Sequence, residues 1–524
     1  MLITAIKARI RSVIEIDYRA LAALRISLAA VIIVDLINRA QALTAHYTDR
    51  GVYPRAFWIE DQPNRWFFSL HLLGGETVHQ AALFLAAGVA AALLLAGYRT
   101  RLMTVISWLL ILSLHNRNQL VLQSGDTLLR MLLFWSIFLP LGAKYSVDAL
   151  RAHRAPGEKS ARSAATFAIL VQVCLVYWFT VLHRTDPMWW NGKAVYYALH
   201  LDLFATPLGV WLRQYDGVCT ALTYFSIGLE LLGPVLVFSP ILTRHVRLVV
   251  VVLMVIMHMG FALTMKLGLF PVISIAGWIV FIPTHVWDRL DRARLLSALK
   301  TKLVTLAAPF AGDAATPRAP APELNNDLRA FPIEVNPRRI ANAACLMLLA
   351  YVFCWNVSEL TPQFALAMPR EYRPLGYLLK LHQDWSMFSP RPTRNDGWFV
   401  IEAERINGEK IDLMTGNPPV WEKPELVSRN FPSQRWRKYM MNLREKKYSD
   451  HLLYYGRYLT RAWNAKLSGD ERINTFDIYF MRETTDYPTV EAPTKVHLWR
   501  HNCFAKPPPA ENEQQDVAGD GIDP

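Results

Sequence analysis

Ala20-Leu-Ala-Ala-Leu-Arg-Ile-Ser-Leu-Ala-Ala-Val-Ile-Ile-Val-Asp-Leu-Ile-Asn-Arg39 decides which solvent this chain is built for. Crossing the hydrocarbon core of a bilayer takes roughly 20 mostly apolar residues, and this stretch supplies them with Arg25 and Asp35 as interior exceptions. Comparable stretches lie near 78–97, 100–116, 126–143, 164–184, 217–239, 246–265, 267–285 and 339–357. Composition agrees: 52% of the 524 residues are hydrophobic and 19% charged, against about 25% charged in an ordinary soluble domain. The expected fold is a polytopic α-helical membrane protein of about nine transmembrane helices, followed by an α+β domain of different composition.

The net charge of +13 gathers in short clusters beside the apolar stretches, a pattern of membrane orientation and not of nucleic-acid binding. Lys7/Arg9/Arg11/Arg19, Arg99/Arg101, Lys144 to Arg162, Arg244/Arg247 and Arg289 to Arg339 fall on one face when the spans alternate, the face read as cytoplasmic. The expected order is an amphipathic cytoplasmic N-terminus (1–19), a bundle (20–285), a cytoplasmic helix and linker (286–338) and a last span (339–357). An extracytoplasmic α+β domain (358–506) and a disordered tail (507–524) complete it. The expected location is a bacterial inner membrane, with the bilayer as first partner. Within the last domain, Trp398 to Leu413 alternates across Asn407-Gly408, a hairpin signal. Ser449 to Ala465 reads as a helix and Ile473 to Arg482 as a strand. The basic, aromatic runs Arg435 to Tyr439 and Leu443 to Lys447 read as a solvated helix face near anionic headgroups. Five cysteines with no metal-type spacing give neither a disulfide framework nor a metal site.

Ionisable groups inside spans are costly and face a protein interior or a wet cavity. Arg25 and Asp35 stand in the first span, Asp126 and Arg130 in the fourth, Glu230 in the sixth and His258 in the seventh. Asp126 and Arg130 share a helix face at i, i+4, placed either to pair with each other or to wall a polar site, with Asn116, Arg117 and Asn118 supplying donors nearby. Glu230 needs a basic partner. For His258 a neutral ring hydrogen-bonded between helices is the plain reading and a ligand contact the sharper one. The densest block, Tyr177 to Lys193 followed by Ala194 to His200, carries His183, Arg184, Asp186 and Lys193 among Trp189, Trp190, Tyr196 and Tyr197. Its aromatics serve either as interfacial anchors or as walls for a flat, hydrophobic ligand near His200.

At these residues the chain resembles the horizontally transferred transmembrane (HTTM) family, which includes the vitamin K-dependent gamma-carboxylase and bacterial relatives. The resemblance rests on Ala23-Leu-Arg-Ile26 with Asp35, Asp49-Arg-Gly-Val-Tyr-Pro54, Gly125-Asp126 leading to Pro140-Leu-Gly142, and Ser146-Val-Asp148. It continues through the Tyr177 to Lys193 block, Trp385-Ser-Met-Phe-Ser-Pro390 and Asp396-Gly-Trp398. It implies a lysine base that deprotonates reduced vitamin K, and a histidine on the preceding span. Aligned on Trp190 to Gly192, this chain has His183 and Arg184 where the carboxylase has consecutive lysines, and Asp126 near the histidine position. Arginine stays protonated, with a pKa above about 12. The resemblance therefore implies the fold and an amphipathic pocket, not the carboxylation activity.

Three functions stay open. One is a bundle binding a quinone or lipid-like ligand beside Arg184, the outer domain engaging a protein or peptide partner or substrate. The second is a carboxylase or quinol-oxygenating enzyme with a reduced, vitamin K-like quinone as cofactor and His183, Lys193 or Asp126 as substituted base. The third is an accessory scaffold without small-molecule chemistry. A transporter would show inverted repeats, and none is legible.

Overall fold

Helix length and apolarity set how much of this chain can cross a bilayer. The computed structural model describes residues 13–62, 64–152, 159–293, 337–360 and 367–504; most of the amphipathic N-terminus, the linker centre and the tail expected above lie outside them. Helices α1 (Tyr18–Ala40), α2 (Thr77–Ala96), α3 (Thr100–Arg117), α4 (Ser124–Ser136), α5 (Ala164–Leu182), α6 (Asp216–Leu236), α7 (Thr243–Thr264), α8 (Phe270–Trp278), α9 (Thr284–Arg292) and α10 (Pro337–Leu360) build the bundle. Among the described residues six of them, α1, α2, α5, α6, α7 and α10, are long and apolar enough to cross a membrane. A seventh is counted if α8 and α9, bent by 96° across Pro283, form one broken span.

By this measure six or seven of the nine expected spans are met, and the three that fall short have causes. Helix α4 is 13 residues long, about 20 Å at 1.5 Å per residue. Proline has no N–H and clashes with the preceding turn, so the helical turns of the 267–285 stretch stop before Pro283. Helix α3 carries polar residues that are buried in the protein: Ser107, Ser113, His115, Asn116 and Arg117. Buried area picks out the central helix. Of its apolar window, 78% is buried for α5 and 28% for α10. Helix α5 packs on α4, α6 and α10, while α1 packs on α2 and α8.

Arg25 is a staple of this bundle. Its guanidinium donates to the carbonyls of Leu141 at 3.2 Å and Tyr145 at 2.5 Å. Gly97 ends α2 at φ 71°, and a Cβ there would sit 2.5 Å from Arg25 Nη1, so both backbone and packing call for glycine.

The C-terminal domain is an antiparallel sheet in the order β2 (Lys410–Asp412), β1 (Asn395–Arg405), β3 (Ile473–Asp486), β4 (Thr494–Asn502), with Thr489–Val490 pairing the end of β3. The hairpin turns at Gly408, φ 84°, and helices α11 (Gln434–Leu443) and α12 (Ser449–Asn464) join the sheet, as read from sequence. Its core is not its own. Phe399, Ile401, Tyr455 and Ile478 share one cluster with Val52, Tyr53, Phe57, Trp58, Leu120 and Val121 of the bundle. Between last span and sheet, Leu379 to Phe388 runs without helix into the bundle core, where Leu381 and Trp385 are fully buried. Gln383 anchors it, its side-chain oxygen accepting from the Gln172 amide in mid-α5 at 2.8 Å. Irregular backbone is tolerated at such depth only when protein satisfies it.

Candidate functional site

Arg184 lies two residues beyond the end of helix α5, and the Asp186-Pro187 turn folds the chain back so that Trp189 covers it. Asp186 Oδ1 accepts the Met188 N–H at 2.9 Å, and Pro187 starts the turn where no N–H is needed. The Arg184 guanidinium lies 3.7 Å from the Trp189 ring centroid and donates to Glu230 of α6. Arg184 and Glu230 are both buried, so the pair leaves no net charge in the apolar interior. The basic partner expected for Glu230 is thus Arg184. On the next faces, Trp278 Nε1 donates to the Tyr177 hydroxyl at 2.7 Å, which is 2.7 Å from His258 Nε2. Phe261 and Phe270 stand edge-on to the His258 ring.

All of these groups except Trp278 line a cavity of about 270 Å³ whose remaining wall is almost wholly apolar, including Leu199, Met257, Met387 and Phe388. Trp189 Nε1 donates to the Phe388 carbonyl at 3.1 Å, so the irregular C-terminal segment closes one end. The side between α6 and α7 is open: the wall residues Leu222, Phe225 and Ile256 are 36%, 39% and 56% exposed, facing where lipid would lie. Such a shape, apolar with few convergent polar groups, is the usual form of a small-molecule site.

A second polar cluster lies where the C-terminal domain meets the bundle. Arg435 of α11 reaches into it, donating to Asp126 at 2.5 and 2.7 Å and to Asp35 at 2.7 Å. Arg39 donates to Asp35 at 2.7 Å and Asp126 at 2.6 Å. Asp126 Oδ2 also accepts the Gln123 N–H at 2.8 Å. Two sequence expectations are corrected here. Asp126 does not pair with Arg130, because stronger bidentate partners occupy both its oxygens; Arg130 donates instead to the Lys380 carbonyl at 3.0 Å and to His115 Nδ1 at 3.2 Å. And Arg435, Arg437 and Tyr439 are buried against the bundle, not a solvated face. Asp35, His115 and Asp126 bring ligand atoms within 4.8 Å of one another, a spacing a metal could use. The arginines take the cation's place, since each oxygen of the two carboxylates already accepts a hydrogen bond.

The other predicted residues disperse. Asn116 accepts Lys380 Nζ at 2.5 Å and donates to the Phe68 carbonyl at 2.7 Å, and Arg117 donates to the Tyr53 carbonyl at 2.8 Å. Lys193 is held by Asp216 at 3.0 Å over the Tyr487 ring, and Asp186 by Arg391 at 2.9 Å. Tyr196 donates to the Pro488 carbonyl and stacks on His200. Trp190 is exposed, its indole donating to the Arg184 carbonyl at 3.0 Å. Of the predicted residues, Arg184, Trp189, Glu230 and His258 line the cavity; His183 and Lys193 do not.

A family model described as the HTTM domain matches residues 14–287, slightly more than half of the chain. The chain belongs to the HTTM domain family. No curated protein and no solved structure matches it. The HTTM match includes both bundle clusters except for the parts lent from beyond it: Met387 and Phe388 at the cavity, and Arg435 and Lys380 at the polar cluster. Reasoning on the sequence missed Arg39, His115, Lys380 and Arg435. Arg39 had a signal, four residues after Asp35 on one helix; Arg435 had none, being some 400 residues from its partner in the chain.

Proposed function

We propose that this HTTM bundle binds a quinone or lipid-like ligand in the cavity beside Arg184, while the C-terminal domain engages a protein partner or substrate. One observation carries the reading: an apolar cavity, open between two lipid-facing helices, converges on a charge-neutral Arg184–Glu230 pair capped by Trp189. A pure scaffold would be expected to fill this space with side chains, as protein interiors are close-packed. The test is mass spectrometry of lipid extracts from the purified full-length protein. A quinone or lipid enriched over the bulk membrane and lost in Glu230→Leu, at normal abundance, supports the reading. An extract matching the bulk membrane for the wild type overturns it.

The carboxylase or quinol-oxygenating reading has one observation in its favour, an imidazole, His258, on the cavity wall. Labelled bicarbonate incorporation into glutamate peptides, or oxygen uptake with a reduced quinone, tests it; folded protein giving neither removes it.

We further infer nine passes with the termini of the bundle on opposite faces, the N-terminal face cytoplasmic in a bacterial inner membrane. Supporting this, Arg19 near the start of α1 pairs with Asp288 and Asp291 of α9, and Arg247 reaches the Val13 carbonyl. The C-terminal domain instead meets the far ends of α1 and α3, through Asp35 and Leu120. On this reading α3, α4 and α8 cross as sheltered helices. Impermeant thiol labelling of single cysteines in whole cells tests it. Positions 50 and 466 should react and position 101 should not, and reaction of all three would overturn the orientation.

A further inference from the structure

Two buried N–H groups on the cavity wall have nothing to donate to. The Tyr177 hydroxyl accepts the Trp278 indole N–H and lies 2.7 Å from His258 Nε2. Ser274 is its other polar neighbour and acts on the phenol oxygen as a donor, so the phenolic proton goes to His258 Nε2, the acceptor at 2.7 Å. A neutral imidazole then carries its own proton on Nδ1, and that buried atom has no partner. Arg184 spends Nη1 on Glu230, while its buried Nε–H is also without a partner. His258 and Arg184 are 1% and 5% exposed, and orphaned buried N–H groups are rare in folded proteins. The other polar walls compete little: the Thr180 and Ser226 hydroxyl protons go to their own helix carbonyls, Val176 at 2.6 Å and Thr223 at 2.9 Å.

Charge narrows the occupant further. Glu230 already cancels Arg184, so a carboxylate or phosphate in the cavity would leave one uncompensated negative charge among apolar walls. We propose, building on the ligand-binding reading above, that the cavity selects a neutral amphiphile whose polar end is a carbonyl, its oxygen taking the His258 Nδ1–H and Arg184 Nε–H, with an apolar body filling the remainder. Ketones, esters and quinones share that chemistry; fatty acids and phospholipid phosphates do not.

The experiment uses the full-length protein in nanodiscs of dimyristoylphosphatidylcholine. They are loaded at equal mole fraction with dodecanophenone, with dodecylbenzene, which differs only by a methylene in place of the carbonyl, or with dodecanoate. Probe retained per protein is quantified after repurification. Ketone retention about tenfold above the hydrocarbon is expected, the yield of one or two buried hydrogen bonds, and the preference should fall severalfold in His258→Phe. Equal retention of ketone and hydrocarbon, or dodecanoate retained best, overturns the carbonyl inference and leaves the ligand-binding reading standing. Retention of no probe by folded protein overturns both. The wild-type comparison stands by itself should His258→Phe fail to fold.

Discussion

Asp396 opens β1 at the joint between domain and bundle, its buried carboxylate accepting the Leu203 N–H at 3.0 Å. Burial, helped by the nearby Asp202 charge and opposed by Arg444, pushes this carboxyl up to about 7, from about 3.9 for an ordinary aspartate. Between those values the folded state holds a proton that the unfolded chain has lost. Stability from this group is therefore present at low pH and lost as pH rises through the window. Asp396→Asn keeps an acceptor for Leu203 without the charge. It should melt several degrees higher than wild type at pH 8 and no higher at pH 4. Parallel melting curves across that range, measured in detergent, would count against the buried-carboxyl account. Position 396 was legible as part of a motif, but its burial was not, because the Leu203 loop that covers it lies 193 residues away in the chain.

Helices α6 and α7 show how an element can hold and open a site. They press together at Gly233, where a Cβ would sit 2.7 Å from the Met254 methyl, and the cavity lies beyond that contact. Gly260 lines the cavity, and a Cβ there would meet nothing within 4 Å, so a large side chain can enter the space without displacing backbone. Gly260→Trp is expected to leave melting temperature within a few degrees of wild type and to remove most of the co-purified ligand. Full ligand retention in this variant would show that the cavity described here is not the binding space. At this scale the sequence was most readable where period and length speak: α1, α2, α5, α7 and the Gly408 hairpin fall where apolar runs and the Asn-Gly turn place them. It misled at α4 and α8, whose apolar runs extend past the helix ends.

For the whole molecule, Arg435 matters more than any surface contact. It is the buried cation that a separate domain inserts between Asp35 and Asp126, so without the domain each carboxylate loses one of its two arginine partners. Removing one partner of such a cluster strands the others, at a cost of about 3–5 kcal/mol. Arg435→Ala should lower the thermal midpoint of the full-length protein and make the C-terminal domain more sensitive to trypsin. Arg435→Lys should recover only part of this, since a point charge cannot make the three forked bonds to two carboxylates. An Arg435→Ala protein that melts and digests like wild type would mean the cluster adds nothing to docking.

The chain alone determined that much of it is apolar enough for lipid, where most helices run, and that a sheet domain follows. Those features are local, written in run length, turn chemistry and residue type. Which charges meet was decided only by tertiary structure. Glu230 found Arg184, Asp126 turned from Arg130 four residues away to Arg39 and Arg435, and Phe388 closed a cavity begun at Tyr177. In a low-dielectric interior a charge takes the partner offering the best geometry and the most hydrogen bonds, and nearness in sequence carries no weight in that choice.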